Sequence, residues 1–84
     1  MNLSWSLQAW DDYLFWQKTD KRTLKRINVL IKECLRNPME GIGNPEALRH
    51  ELQGFYSRRI DKQHRLVYTF SKDELLIVGC KHHY

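Results

Sequence analysis

The sequence predicts an α+β domain in which a helical hairpin packs on one face of a mostly antiparallel sheet, in the order β-α-α-β-β-β-β. Apolar residues recur at helical spacing in the first half of the chain. In the second half, short apolar runs alternate with tight turns, which is typical of antiparallel strands. The 84 residues are too few for two domains of roughly 100–200 residues each, so we expect one domain over residues 1–84.

The first strand and the first helix are predicted at the start of the chain. Polar and apolar residues alternate from Asn2 to Ser6, as they do in a half-buried strand. Ser6 suits an N-cap, because its hydroxyl can accept a hydrogen bond from a free N–H of the first helical turn. Apolar residues then recur at helical spacing, which predicts a helix over residues 7–18.

The second predicted helix follows almost without a linker. Thr19 and Asp20 give its capping signal. The helix ends at Asn37-Pro38, because a residue before proline avoids the helical region. Two helices joined this closely should form an antiparallel hairpin. One apolar stripe marks the side that should face the core: Leu24, Ile27, Leu30, Ile31 and Cys34.

A loop and four short strands are predicted for the rest of the chain. Residues 38–47 hold both prolines and two of the four glycines, so they form a loop, and loops often carry function. The last three of the strands should form an antiparallel meander, because the turns between them are tight. The predicted strands are Leu48–Leu52, Phe55–Ile60, His64–Phe70 and Glu74–Cys80.

The charge balance favours an anionic partner. The net charge is +4, from 14 Lys and Arg against 10 Asp and Glu. Nucleic acid, an anionic membrane surface and an acidic protein all fit this balance, and so does a basic surface with no partner. No apolar run approaches the roughly 18–20 residues that span a bilayer, and the N-terminus lacks the pattern of a signal peptide. We therefore expect a cytoplasmic protein that does not bind a membrane.

Cysteine usage predicts neither a disulfide nor a metal site. Cys34 and Cys80 could pair, but the cytoplasm is reducing and disulfides are rare there, so we expect two reduced, structural thiols. Cys80, His82 and His83 are close in sequence, yet neighbouring residues of a strand point to opposite faces. No zinc-type spacing is present either. The sequence therefore predicts no metal and no other cofactor.

Groups that could carry chemistry collect in the second half of the chain. They are Glu46 in the loop, Arg58, Arg59, Lys62 and Arg65 on or beside one hairpin, and His82, His83 and Tyr84 at the C-terminal end. A carboxylate, a guanidinium and an imidazole can together cleave RNA without a metal. The carboxylate accepts the 2′-OH proton, the guanidinium stabilises the phosphate, and the imidazole protonates the 5′-oxygen.

Simpler interpretations exist for each of these groups: a solvated loop residue, a surface arginine or a frayed terminus. Trp5, Trp10 and Trp16 are better explained by packing than by stacking on bases. The pattern alone therefore predicts a basic α+β domain that binds RNA.

Five stretches are distinctive when they occur together in a chain of this length: Trp10-Asp11-Asp12-Tyr13, Thr19-Asp20-Lys21-Arg22, Gly54-Phe55-Tyr56-Ser57-Arg58-Arg59-Ile60, His64-Arg65-Leu66-Val67-Tyr68 and His82-His83-Tyr84. Over its whole length the chain resembles the YoeB-type toxins of the RelE superfamily, the ribosome-dependent mRNA interferases of toxin–antitoxin modules. The resemblance implies a RelE-like microbial ribonuclease fold. It also implies an endoribonuclease that cleaves mRNA in the ribosomal A site and inhibits translation.

The resemblance assigns catalytic roles to four residues. Glu46 matches the family's general base, and Arg65 matches the arginine that stabilises the scissile phosphate. His83 matches the general acid. Tyr84 matches the tyrosine that orients the nucleotide.

Further positions are expected to contact RNA: Arg49, where the family more often has lysine, Arg59, which matches a basic active-site position, and Arg58 and Lys62 beside it. Gln63 stands where the family often has a glutamate. A glutamine cannot act as a base, so we expect no proton transfer at this position.

The resemblance also implies partners. They are a YefM-like antitoxin whose C-terminal segment covers the site, the 70S ribosome with its mRNA, and a second copy of the chain in a homodimer. Two other hypotheses stay open: a non-catalytic RNA-binding module and a protein that only pairs with an acidic partner. Glu46, Arg65 and His83 distinguish them from a nuclease, because a binding module needs no general acid.

Overall fold

The computed structural model describes residues 1–82 and contains two helices packed on a five-stranded mixed sheet. Its elements are β1 (Asn2–Trp5), α1 (Leu7–Thr19), α2 (Lys21–Arg36), β2 (Glu46–Ala47), a 3-10 helix (His50–Leu52), β3 (Tyr56–Arg59), β4 (Arg65–Phe70) and β5 (Glu74–Gly79). The strands lie in the order β1-β5-β4-β3-β2. β1 pairs with β5 in parallel, and the other pairs are antiparallel. The predicted fold class is confirmed.

Both helices begin where the sequence predicts. The Ser6 hydroxyl accepts a hydrogen bond from the Ala9 N–H at 3.0 Å. An Asp20 carboxylate oxygen accepts from the N–H groups of Arg22 and Thr23, each at 3.1 Å. These bonds satisfy N–H groups that have no partner within the helix, which fixes where each helix starts.

One core lies between the helices and the sheet. The predicted stripe of α2 faces it: Ile27, Leu30, Ile31 and Cys34 are buried, and Leu24 packs against them half-buried. The facing side of the sheet supplies Leu66, Tyr68, Leu75 and Ile77. Because side chains alternate along a strand, the residues between these point to the opposite face of the sheet. That opposite face carries the candidate site.

The predicted strand over Leu48–Leu52 is wrong. The chain pairs with β3 earlier, through the two residues of β2, and then forms the 3-10 helix. His50 has a φ of +58°, a left-handed conformation that lies outside the extended region of regular strands. Leu48 still donates a backbone hydrogen bond to the Phe55 carbonyl at 2.9 Å. Glu46, expected in a loop, therefore lies on a short strand at the edge of the sheet.

The cysteines are both buried and unpaired. Burial raises the pKa of the Cys80 thiol to about 12 and also raises the pKa of Cys34. Trp16 is buried as well, and its indole N–H donates to the Cys80 carbonyl at 2.8 Å. Trp5 packs against Tyr13, with ring centroids 4.9 Å apart. Among residues 1–82, no helix is long and apolar enough to cross a membrane.

Candidate active site

The strand register brings four polar residues to one face of the sheet, three of them predicted from the sequence. Glu46 on β2 is paired with Ser57 on β3, and Arg59 on β3 is paired with Arg65 on β4. Directly paired residues project to the same face, and so do residues two apart on one strand. The two arginines, the serine and the glutamate therefore share the face that points away from the helices.

Glu46 and Arg65 form the centre of this group. A carboxylate oxygen of Glu46 lies 3.9 Å from Nη1 of Arg65, which is too long for a hydrogen bond but close enough for electrostatic attraction. The Glu46 side chain is 53% exposed and the Arg65 side chain 23% exposed. Both groups are thus held near each other, while the carboxylate keeps its lone pairs available to a ligand.

Ser57 orients the Arg65 guanidinium. Nη1 of Arg65 donates a hydrogen bond to the Ser57 hydroxyl oxygen at 3.2 Å. Ser57 is fully buried, so its position is fixed by packing. Within residues 1–82 this hydroxyl is the one hydrogen-bond acceptor that the guanidinium contacts, which leaves most of its five N–H groups for a ligand. No sequence pattern singled out Ser57, although its place two residues before Arg59 puts it on the same strand face.

Arg59 and Arg65 place two positive charges on the same face of the sheet. They are directly opposite each other on neighbouring strands, where like charges are destabilising in the absence of a counter-ion. The backbone holds Arg59 there: its N–H donates to the Gly43 carbonyl at 2.6 Å, and its carbonyl accepts from Arg26 at 3.1 Å. Two guanidinium groups on one face suit a phosphate, whose oxygens accept several charge-assisted hydrogen bonds.

The expectation that Arg58 binds RNA is wrong in this structure. Its side chain is fully buried on the opposite face of β3, so nothing outside the fold can reach it. Its guanidinium donates to the Tyr68 hydroxyl at 3.2 Å and to three carbonyls in the loop after α2, those of Asn37, Glu40 and Ile42. Arg58 therefore holds the loop that leads to Glu46 in place, and its role is structural.

The predicted contact residues Arg49 and Lys62 are exposed. Arg49 immediately precedes the 3-10 helix, and Lys62 lies in the turn between β3 and β4, next to Gln63, for which no RNA contact is predicted. The Gln63 N–H donates to the Asp61 carboxylate at 2.8 Å, so the backbone of this turn is fixed while the Gln63 side chain stays accessible.

The C-terminal segment runs to the start of β4. The Arg65 N–H donates to the His82 carbonyl at 2.8 Å, which fixes the last described residue beside Arg65. His83 and Tyr84, the expected general acid and nucleotide-orienting residue, lie outside the described residues. Within residues 1–82, no three Cys, His, Asp or Glu side chains are close enough together to hold a metal ion.

A profile of YoeB-like toxins of bacterial type II toxin–antitoxin systems matches residues 5–84. The chain belongs to this YoeB family. Toxin YoeB of Escherichia coli strain K12 is 58% identical over 84 residues, which is the whole of both chains. The membership that the five sequence stretches predicted is confirmed.

Solved structures agree with this YoeB-family fold. The YoeB/ParE toxin from Agrobacterium tumefaciens has a TM-score of 0.97 and 45% identity, and each chain covers the other completely. A chain of a heterotetrameric YoeB–YefM complex from Staphylococcus aureus has a TM-score of 0.91 and 48% identity, covering 100% of this chain and 98% of that one. This chain is therefore a toxin of a type II toxin–antitoxin system with the fold shared by these YoeB proteins.

Proposed function

We propose that this toxin is an endoribonuclease that cleaves ribosome-bound mRNA in the A site and thereby inhibits translation. The observation that carries the proposal is the Glu46–Arg65 pair, 3.9 Å apart and accessible, with Arg59 directly opposite Arg65 on the neighbouring strand. A base next to two guanidinium groups is the arrangement that transesterification of RNA requires. A module that only binds RNA would gain nothing from a carboxylate at this point, because it repels phosphate.

The reaction begins with the substrate itself. The 2′-OH lies beside the scissile phosphate, so its attack is intramolecular and gains from proximity. Glu46 accepts the 2′ proton as the 2′-oxygen bonds to phosphorus. Arg65 and Arg59 stabilise the added negative charge on the phosphate oxygens. The bond to the 5′-oxygen breaks, and the products are a 2′,3′-cyclic phosphate, or the 3′-phosphate it hydrolyses to, and a 5′-hydroxyl.

His83 is the proposed general acid that protonates the departing 5′-oxygen, and Tyr84 is proposed to orient the nucleotide. The described structure supports these roles through the residue before them. Because the His82 carbonyl is bonded to the Arg65 N–H, the next residue is covalently attached to a point beside the phosphate-binding arginine. An imidazole suits this step, since its ordinary pKa of about 6.5 makes it a usable acid at neutral pH.

No cofactor is part of the proposal. The nucleophile is the substrate's own 2′-OH, so the reaction does not depend on a metal-bound hydroxide. Arg49 and Lys62 are exposed cations, and we propose that they bind the mRNA backbone at either side of the cut.

The partners are proposed from the family and from charge. The YoeB–YefM complex of Staphylococcus aureus supports a YefM-like antitoxin for this toxin too. The net charge of +4 would attract an acidic antitoxin segment and raise its association rate. We also propose a homodimer, for which exposed apolar side chains of α1 such as Leu7 and Trp10 are available, and a cytoplasmic location, where ribosomes and antitoxin are found.

The test is cleavage of mRNA in a purified ribosome complex with an occupied P site. Wild-type toxin should cut in the A site, and Glu46→Gln, which keeps size but removes the base, should cut about 10²–10⁴-fold more slowly. Binding without cleavage by the wild-type protein would favour the RNA-binding module instead. Expressed without an antitoxin, the wild-type toxin should stop growth and Glu46→Gln should not.

A further inference from the structure

Three buried side chains hold the segment after β5 through its backbone. An Asp12 carboxylate oxygen accepts from the Cys80 N–H at 3.0 Å, and the Trp16 indole N–H donates to the Cys80 carbonyl at 2.8 Å. Nδ1 of His64 accepts from the His82 N–H at 2.6 Å. Asp12 and Trp16 are each 6% exposed, and His64 is 9% exposed. Buried polar groups are costly unless they have such partners, and these three side chains find them in the backbone of the segment after β5.

His64 and Arg65 together hold the peptide groups of His82. The His64 ring accepts from the His82 N–H, and the Arg65 N–H donates to the His82 carbonyl at 2.8 Å. His82 has a φ of +67°, a left-handed conformation that a residue with a side chain adopts only when its surroundings fix it. The backbone N–H and the carbonyl of His82 are therefore both held by neighbouring residues, His64 and Arg65.

The His64 ring is itself fixed. Its edge meets the Trp16 ring at 79°, with centroids 4.8 Å apart, and its own backbone N–H donates to Asp61 at 2.7 Å. A backbone N–H can only donate, so Nδ1 must carry a lone pair and the proton of the neutral ring is on Nε2. Nδ1 is therefore occupied by the His82 N–H and is not available to a ligand.

We propose that His64 is a positioning residue: its Nδ1 fixes the C-terminal segment beside Arg65 and so places the general acid. This inference rests on the proposed function, in which His83 is that acid. His64 acts through the His82 backbone, and it neither binds RNA nor transfers the proton.

A first experiment tests the anchor without any activity measurement. The ¹⁵N shifts of the His64 ring in the wild-type protein should identify the tautomer with the proton on Nε2. The His82 amide should exchange slowly with solvent, and in His64→Leu it should exchange at least about tenfold faster, because its acceptor is gone. The Tyr68 amide, inside β4, reports on the fold and should keep its exchange rate. A proton on Nδ1 in the wild type, or an unchanged His82 rate in His64→Leu, would overturn the proposal.

A second experiment measures what the anchor does for cleavage. His64→Leu should lower kcat by about tenfold or more, up to the 10²–10⁴-fold that loss of a general acid costs, with KM unchanged. In His64→Asn, the side-chain carbonyl can occupy the position of Nδ1 and accept the same hydrogen bond. It should recover kcat to within about a factor of three of the wild type. Gln63→Leu, at the exposed neighbouring position, is the matched control and should leave kcat unchanged.

A double mutant separates this inference from the proposed function. If His64 acts through His83, His64→Leu should cost little more in a His83→Ala background, because there is no acid left to place. A wild-type rate for His64→Leu, or a further loss of full size in the double mutant, would overturn the positioning role. Full activity of His83→Ala would refute His83 as the general acid, and with it the positioning role of His64. The exchange rate of the His82 amide would still decide whether His64 holds the His82 backbone.

Discussion

Arg58 should be essential for stability, whereas the neighbouring Arg59 should not. We take the perturbation Arg58→Met, which keeps an unbranched apolar chain but removes the guanidinium. Three carbonyls of the loop after α2 and the Tyr68 hydroxyl then lose a charged donor inside the protein. The Tyr68 hydroxyl keeps its own acceptor, the Pro38 carbonyl at 2.6 Å. Most of the lost stability should therefore come from the three carbonyls.

The size of the effect follows from these contacts. Each hydrogen bond to a charged group contributes about 1.5–3 kcal/mol, and the variant also avoids the cost of burying the charge, which offsets part of the loss. A buried acceptor left without a partner costs about 1–3 kcal/mol, so the three carbonyls together should cost about 3–5 kcal/mol after this offset. For a domain of this size the Tm should fall by roughly 10–40 °C. Arg59→Met removes an exposed guanidinium and should change stability by about 0.5 kcal/mol or less.

The assay is urea unfolding followed by tryptophan fluorescence, to which the buried Trp16 contributes, with circular dichroism as a second probe. Arg58→Lys gives an intermediate case that should remain folded, because it keeps the charge but loses the planar fork of donors. The order of stability should be wild type and Arg59→Met together, then Arg58→Lys, then Arg58→Met.

Equal stability of Arg58→Met and Arg59→Met would refute the reasoning, because it would mean that the buried guanidinium contributes nothing to holding the loop. Folded Arg58→Lys should also still cleave mRNA, whereas Arg59→Met should cleave more slowly at unchanged stability. The reverse result would restore Arg58 as an RNA contact.

Two residues of the candidate site and the buried Cys80 thiol should each respond to a specific change. Arg65→Ala should slow cleavage of ribosome-bound mRNA by about 10²–10³-fold at unchanged stability. Gln63→Ala should cut at the wild-type rate. Equal losses in the two variants would contradict the assignment of phosphate stabilisation to Arg65. Ser57→Ala should slow cleavage less than Arg65→Ala, because it removes only one anchor of the guanidinium; a loss as large would mean that the hydroxyl has a role of its own. The Cys80 thiol ionises near pH 9.0 in the unfolded chain but only at about 12 when it is buried. Its contribution to the free energy of unfolding should therefore stay constant below pH 9 and decline as the pH rises from 9 towards 12. Unfolding curves of the wild type and of Cys80→Ala between pH 7 and 11 test this, because burial also raises the pKa of Tyr68 and of Cys34. Equal declines in the two proteins would show that the Cys80 thiol does not cause the effect.

The helices were predictable from the sequence because their determinants are local. Ser6 and Asp20 are good caps, and the apolar stripe of α2 repeats at helical spacing. The β3–β4 and β4–β5 hairpins were predictable for the same reason, since each joins neighbouring segments by a short turn. The parallel pairing of β1 with β5 depends on contacts across most of the chain, and the sequence pattern did not specify it.

The strand predicted over residues 48–52 does not form, because His50 is left-handed and the chain turns there into a 3-10 helix. Arg58 and Arg59 were grouped as RNA contacts by their charge alone. Alternation along β3 puts them on opposite faces, and the face of Arg58 is closed by the loop that it holds. The contact between His64 and His82 joins residues 18 apart around β4 and β5, so no local pattern could indicate it.

The most direct test of the central claim replaces the single 2′-OH at the cut site by hydrogen, in an mRNA bound to the ribosome. The mechanism uses that hydroxyl as nucleophile, so the deoxy substrate should bind almost normally and not be cleaved. The all-ribose substrate should give a downstream fragment that carries a 5′-hydroxyl. Efficient cleavage of the deoxy substrate, or a 5′-phosphate on the downstream fragment, would contradict the proposal that Glu46 and Arg65 promote attack by the 2′-oxygen.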